Sequence, residues 1–549
     1  MGNAAIYLHP NAFDTSSDRL LGRHSAGESF LRGLVRHAKV DQFHFWNVAN
    51  AGRADLDRLV QRIEPPDRPV RWIGPTGRSD LQDPGVLYLP TPAMPAEAWQ
   101  RLQHGSRRYA ISGVTHTTAS ANVMGILPNF LIAPLEDYDA LICTSSAVRA
   151  SVDTQIDLMR EYMSRQYGPR RRPEAQRVTI PLGVNCDDFT TTPDARKAWR
   201  ERLDIPEDAI VALYVGRFNA KAKMNPALMA VALQRAAVST GKTIYWVNSG
   251  WAETTAAGEV FHAETRKLCP AVEYREVDGR GPDVRFSIWS VADFFISFSD
   301  NIQESFGLTP IEAMAAGLPS VVSDWDGYKD TVRDGLDGFR VPTLAARPGF
   351  GGDLSYYYSN NWLTYDNYIG AVGQYTAVDM AKAEAAIVAM VSDAALRARM
   401  GAEAKAQARR VFDWSVIVPQ YQALWAEQNG RRLAAGAAAS ENNPFAPDPF
   451  SLFAGYPTRH IGREAVVRLV PGMTWPLAQA RLAGALASYS QFNRPTDAEL
   501  QLVLDHLTAS GPATVAALRE LVAVPRRNYL ERGLVWLARH DVVEIDPGA

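Results

Sequence analysis

Two glutamates, Glu304 and Glu312, flank a small-residue turn within the run DNIQESFGLTPIEAMAAGLPSVVSDWDGY, residues 300–328. A short apolar strand, residues 294–298, precedes the run. An apolar-periodic helix follows the turn at Ser305-Phe306-Gly307-Leu308, and Gly317-Leu318-Pro319 ends it before the next strand begins at Val321-Val322. Strand, small-residue turn and helix in that order make an anion site, because the free N–H groups of the helix start and the helix dipole both favour a phosphate. If the whole span were helical, the two carboxylates would stand on the order of 12 Å apart, and less if the turn folds back. One could hold a sugar at one end of a diphosphate and the other a ribose at the far end. A plainer reading fits the same letters. Thr309-x-x-Glu312 with Pro310 between them has the form of a capping box with proline at the first helical position, which would leave Glu312 a cap and Glu304 a solvated surface acid.

Other residues offer complementary chemistry. The strand at 210–215 runs straight into Gly216-Arg217-Phe218-Asn219-Ala220-Lys221-Ala222-Lys223. A glycine after a strand, then a planar guanidinium fork and an ammonium point charge, suits a diphosphate. Near the N-terminus, Gly22-Arg23-His24-Ser25-Ala26-Gly27 reads as a glycine-rich turn opening an amphipathic helix. It either lets a backbone approach a ligand or closes a tight strand-to-helix connection. His116, in GVTHTTAS, follows a strand and is either a packed residue or a group aimed at a ligand. Ser145 or Ser146, in ICTSSAVRASV, reads as a helix cap. Asp326-Gly327 reads as a turn in preference to a pocket wall.

The block ESFGLTPIEAMAAGLPSVVSDWDG resembles the Glu–x7–Glu signature of glycosyltransferase family 4, retaining enzymes of the GT-B fold that use nucleotide-sugar donors. The resemblance implies that Glu304 contacts hydroxyls of the donor sugar and Glu312 the ribose, while the turn Ser305, Phe306, Gly307 and Leu308 turns its amides to the diphosphate. It implies that Gly216 and Arg217 lie on the diphosphate with a lysine. Lys223, followed by Met224-Asn225-Pro226, fits better than Lys221. It further implies a donor-side role for His116, a glycine-rich loop at Gly22 beside donor and acceptor with Arg23 and His24 turned to the cleft, and a nucleotide base near residues 272–275. The segment IPLGVNCDDF resembles the family's Pro-x-Gly-Val-Asp segment and would lead out of the first domain.

The elements around these residues alternate. Strand-like runs at 4–9, 43–46, 70–73, 86–89, 109–115, 140–144 and 178–181, then at 210–215, 243–247, 272–277, 294–298, 320–323 and 338–341, are separated by helical intervals, as in βα units with parallel sheets. The fold expected is α/β, GT-B, with two Rossmann-like parallel-sheet domains facing a cleft. An N-terminal acceptor-side domain would span 1–190 and a donor domain 208–411, with 381–410 helical. A crossover helix at 412–430 and a linker at 431–449 would lead to a small, mainly helical domain at 450–549, winged-helix-like in outline. An aromatic insertion, 343–379, departs from the resemblance; Tyr356, Tyr357, Tyr358, Trp362, Tyr365 and Tyr368 would serve a sugar, a protein interface or a self-packed loop.

Composition bounds the rest. With 549 residues the chain exceeds one core, and 46% apolar with 21% charged residues is ordinary for a globular protein. A net charge of −3 argues against nucleic-acid binding, and the arginines of the last hundred or so residues are offset by acids. Cys143, Cys186 and Cys269 have no metal-ligand spacing, and a reduced, cytoplasmic compartment fits them. No signal peptide or run of about 18 apolar residues is seen, so a lipid-linked acceptor would be met at the inner membrane surface.

The expected activity is transfer of a hexose, with retention and without a metal or resident cofactor, from a UDP- or GDP-linked sugar to a glycan, lipid-linked or other hydroxyl acceptor. The alternatives are a sugar-nucleotide epimerase or phosphorylase on the same fold, or a non-catalytic sugar-nucleotide sensor acting through 450–549. That last segment is the place for a homo-oligomer or protein contact.

Overall fold

In the computed structural model, which describes residues 2–13, 22–169, 173–489 and 491–546, the apolar runs form two parallel sheets. The first contains β1 (Ala5–Leu8), β2 (Phe43–Asn47), β3 (Val70–Ile73), β4 (Val86–Leu89), β5 (Ala110–Val114), β6 (Ala140–Cys143) and β7 (Gln176–Thr179). Their order is β3-β2-β1-β4-β5-β6-β7, every neighbouring pair parallel. The second contains β8 (Ile210–Val215), β9 (Ile244–Gly250), β10 (Val272–Asp278), β11 (Phe294–Ser297), β12 (Ser320–Ser323) and β13 (Gly338–Val341), ordered β10-β9-β8-β11-β12-β13 and again all parallel. Most central strands are buried on both faces, so they read in sequence as continuous apolar stretches.

Both sheets are doubly wound, and each reverses its strand order once. In the second sheet the reversal falls between β8 and β11. The crevice at the carboxyl ends of two such strands is where open α/β sheets bind ligands. The loops leaving those ends carry Arg217 and Lys223 on one side and Glu304 on the other. The sequence expectation of two Rossmann-like parallel-sheet domains in the GT-B manner therefore describes the chain.

The helix Trp414–Ala434 returns to the first domain, where Trp414, Ile417, Val418, Tyr421, Leu424 and Trp425 join the core beneath β1, β2 and β4. The chain passes between the domains twice, near Val184 and near Asp413. The Phe412 carbonyl accepts from the Val184 amide (2.9 Å), and the Val184 carbonyl accepts from Trp414 (3.1 Å). The Asp413 carboxylate accepts from the Cys186 amide (3.1 Å). A Cβ on Gly33 or on Gly183 would strike the Trp414 ring, so both glycines make room for it.

Several elements refine or depart from expectation. The segment 381–410 is helical, as two α-helices, Met380–Ser392 and Ala394–Gln407, followed by a π-helical turn, Ala408–Phe412; Asp393 breaks the first and caps the second by accepting from the Leu396 amide (2.9 Å). The residues after β1, whose sequence over 10–17 reads as a loop, begin with a short helix, Pro10–Phe13, and 14–21 lie outside the described residues. The small and polar stretch after the crossover helix is not a free tether: Glu441 donates its amide to the Leu102 carbonyl (3.0 Å), and Phe445 packs edge-on against Trp99.

Residues 446–549 form a separate unit with its own core. Helices Asp497–Ser510, Val515–Arg519 and Arg527–Arg539 pack on a three-stranded antiparallel sheet of Ala513–Thr514, Val466–Leu469 and Val543–Asp546. The central strand, Val466–Leu469, was not expected from the sequence, since its charged and apolar letters lie among turn-forming residues. Thr496 and Glu499 close a capping box, and Glu499 also accepts from Arg526 (2.8 Å). Among the described residues no helix is long and apolar enough to cross a membrane.

Candidate functional site

The site is built where β8 and β11 end. Lys223 donates to Glu304 Oε2 at 2.6 Å, bringing the two loops of the crevice together. The Glu304 side chain is only 12% exposed, and burial pushes its carboxyl up. The Lys223 ammonium and the amides of Ser305 and Phe306 more than offset this and hold it below the usual carboxylate range. Lys221 turns the other way and donates to Asn367 Oδ1 (3.0 Å) in the insertion. The structure thus brings Lys223, and not Lys221, to Glu304.

Arg217 reaches back over its own loop, donating to the Ala222 carbonyl (3.4 Å) and facing Glu253 at 3.8 Å. Gly216 meets the Tyr214 hydroxyl so closely that a Cβ would lie 2.5 Å from it.

The helix of the site runs Leu308–Ala315, with Gly307 at its N-cap in the left-handed region (φ 83°). A Cβ there would fall 2.1 Å from the Tyr328 ring, so conformation and packing both require glycine. The capping box does not form. The helix starts two residues too early for Thr309 to cap it, and no side chain caps Gly307. The hydroxyl of the buried Tyr328 contacts Ser297 Oγ (2.9 Å) and lies beside Thr309. The amides at the helix start are therefore not consumed by a side-chain cap.

Glu312 projects from the same helix into a crevice lined by Ser25, Glu28, Arg32, Asp188 and Arg285. Burial raises its carboxyl above the usual range, although Arg285 and Lys223 pull against the rise. Lys223 therefore acts on both glutamates. Arg285 also faces Glu28 of the first domain (3.4 Å), and Glu28 pairs with Arg32 (2.6 Å).

His116 lies just beyond β5, its Nε2 3.1 Å from the Pro90 carbonyl. Gly22 begins the helix Gly22–His37, so the glycine-rich stretch is helix and not a turn. The reason is packing: a Cβ on Gly27 would lie 2.1 Å from the Ala12 carbonyl oxygen, so the helix can abut Pro10–Phe13 only without one. The side chains of Arg23 and His24 lie outside what the structure describes.

Three acids and two serines at this place were not read as site groups. Ser145 does cap its helix, accepting from the Val148 amide (3.1 Å), but its hydroxyl also faces the Ser305 carbonyl (2.8 Å) and Asp326 Oδ1 (3.1 Å) of the second domain. Ser146 donates its amide and hydroxyl to Asp330 (2.6 and 2.7 Å). Asp326, with φ 42°, makes the expected turn and also faces the site. Its positive φ is what its Asp-Gly sequence could have signalled; its partners were not visible. Burial, and then the Glu304 charge, pushes the Asp326 carboxyl up to about 7. Burial alone pushes Asp300 up to about 7.

A pH dependence follows. An acid raised from 3.8 to about 7 holds its proton in the native state while the unfolded chain has already lost it, so stability falls as pH rises through that window. Asp326→Asn keeps an acceptor for Ser145 and removes the titration. It is expected to be more stable than wild type by about 1–3 kcal/mol above pH 7, with the difference shrinking toward pH 4. Calorimetry across that range checks this, and a difference independent of pH contradicts it.

Residues 195–346 match the family described as glycosyl transferases group 1. The chain is similar to the D-inositol 3-phosphate glycosyltransferase of Streptomyces scabiei, 33% identical over 175 residues, which cover 31% of this chain and 38% of that protein. It is 28% identical over 193 residues to the lipopolysaccharide 1,2-N-acetylglucosaminetransferase of Salmonella typhimurium, covering 34% of this chain and 49% of that one. The matches thus span less than half the length of either relative. Among solved structures, Anabaena Alr3699/HepE in complex with UDP aligns over 78% of this chain and 100% of its own, with a TM-score of 0.49 and 15% identity.

Proposed function

We propose that the chain transfers a hexose from a nucleotide-diphosphate sugar to a hydroxyl of a glycan or lipid-linked acceptor, with retention and without a metal. The observation that carries this reading is the Lys223–Glu304 contact at the strand-order reversal of the second sheet, beside an uncapped helix start and with Glu312 on the same helix. In this reading the diphosphate lies at the amides of Phe306, Gly307 and Leu308, and Lys223 and Arg217 meet the charge that develops as it leaves. Fixed dipoles and cations aimed at developing charge usually lower the barrier more than any other device such a site has. Glu304 exchanges its bond to Lys223 for the donor sugar's hydroxyls, and Glu312 takes the ribose. His116 approaches the sugar from the other domain. This reading assigns no covalent nucleophile among the described residues of the crevice, so the acceptor hydroxyl attacks from the face the diphosphate leaves. Domain closure excludes water, which would otherwise hydrolyse the donor.

The test is thermal stabilisation by a panel of UDP- and GDP-sugars, with and without EDTA, for wild type, Glu304→Gln and Arg217→Ala. One donor is expected to raise the wild-type Tm regardless of EDTA, with most of the shift lost in both variants. A donor that binds without turnover in the presence of candidate acceptors supports a sensor; loss of the shift in EDTA removes the metal-free part. No stabilisation by any donor overturns the proposal.

A further inference from the structure

The insertion is not a self-contained loop. A small antiparallel ribbon, Thr343–Ala345 with Thr376–Val378, closes its ends, and between them lie the helices Gly352–Ser359 and Tyr365–Gly373. Tyr358 and Tyr368 stack face to face, centroids 4.2 Å apart, and tie the two helices together. Along the second helix Tyr365, Ile369 and Gly373 recur at four-residue spacing and share one face. That face meets both domains. Ile369, fully buried, packs with Ala222 of the Arg217–Lys223 loop and with Ala119 of the His116 loop, with Tyr365 and Ile302 beside them. The polar contacts follow the same division. Tyr365 Oη is 3.3 Å from Thr117 Oγ1, and Tyr358 Oη accepts from the Ala121 amide (2.9 Å). On the other side Lys221 donates to Asn367. A Cβ on Gly370 would come within 2.9 Å of the Lys221 side chain, so the helix and that loop are in close contact. The Tyr365 hydroxyl, half-buried, feels Arg217 as well as Thr117.

We propose that Tyr365 is a positioning residue of the transfer site: its hydroxyl fixes Thr117, and through it the His116 loop, against the Arg217–Lys223 loop. The inference rests on the transfer reading for its consequence, though not for the contact itself. Thr117 already accepts from the Ala119 amide (3.2 Å), so the loop has a local turn whose hydroxyl needs an outside partner to set its direction. Tyr365 supplies that partner from a segment lying 248 residues away in the chain. The site is then complete only when the insertion engages both loops. Misplacing a group near the reacting centre costs rate far more than it costs binding of the donor's remote parts.

The experiment compares Tyr365→Phe, which keeps the ring and loses the hydroxyl, with Tyr365→Ala, which loses both. Hydrogen–deuterium exchange over residues 115–121 is read beside steady-state kinetics. Tyr365→Phe is expected to speed exchange in 115–121 and to lower kcat about 10-fold. KM for the nucleotide sugar should stay within about 2-fold of wild type. If Tyr365→Phe matches wild type in exchange and kcat while Tyr365→Ala does not, the ring only packs and the proposal is overturned. A KM effect without a kcat effect overturns it as well. If no nucleotide sugar stabilises or is turned over by the wild type, the transfer reading fails separately. The exchange measurement then decides the holding role alone, unchanged exchange refuting it and faster exchange keeping it.

Discussion

Lys223→Met is expected to lower kcat/KM for transfer by about 10²–10³-fold, the loss typical of removing one preorganised group from a site of developing negative charge. The substitution keeps most of the side-chain volume and removes only the ammonium. Two effects then act together. In the proposed transfer the departing diphosphate loses a cation, and Glu304 loses the partner that outweighs its burial. The second effect distinguishes this residue from a remote charge. In the wild type Glu304 sits below the usual carboxylate range, so it contributes stability above its unfolded value that is lost as pH falls through the folded one. Without Lys223, burial dominates, the carboxyl rises, and the acid limb of the residual kcat/KM profile moves to higher pH. Lys221→Met, by contrast, leaves Glu304 paired and the acid limb in place. A Lys223→Met profile with an unmoved acid limb contradicts the pairing, whatever the size of the rate loss.

The largest stability effect is expected far from this chemistry. Arg101 and Asp139 form a bidentate pair in the first domain, both side chains wholly inaccessible and both contacts 2.7 Å. Arg101 also donates to the carbonyls of Tyr109 (2.8 Å) and Pro134 (3.0 Å). Asp139 accepts from the amides of Ile111 (2.7 Å) and Glu136 (2.8 Å). The pair thus ties β5 to the turn before β6. Arg101→Met leaves a buried carboxylate and two carbonyls without their donor, and is expected to cost about 3–5 kcal/mol. The double variant Arg101→Met, Asp139→Leu removes the charge but strands two amides, so it recovers only part of the loss. Denaturant unfolding of the full chain gives both values; a single-variant cost under about 1 kcal/mol contradicts the account.

Much of this molecule is legible in its letters, for a physical reason. Strands buried on both faces are apolar throughout, so β4, β6, β8, β11 and β12 stand out without knowledge of their neighbours. The turn and helix of the Glu304–Glu312 block are legible because their residues are close in sequence, so local spacing preserves them. What was missed depends on partners distant in sequence. Ser145 finds Asp326 across 181 residues, and Thr117 finds Tyr365 across 248, and no periodicity records either. Gly22–Gly27 misleads for a related reason. Glycine in a turn and glycine under a helix contact look alike in sequence, and only the Ala12 backbone beneath Gly27 tells them apart. Thr309-x-x-Glu312 matches a cap in letters, but Gly307 starts the helix first.

The double passage of the chain at Val184 and Asp413 restricts how the two halves can move. A single tether would leave one body free to swing and to twist about the other. Two tethers side by side, joined by main-chain hydrogen bonds and bearing on one indole ring between two glycines, resist twisting, because twist would shear those bonds. Bending across them shears nothing. For these two domains the paired crossing therefore favours bending over twisting. The contacts between the halves away from that crossing, from Ser145–Ser305 to Thr117–Tyr365, would then open and close together. In the proposed transfer, nucleotide and acceptor would then meet in a register set by this crossing and not searched for anew each time.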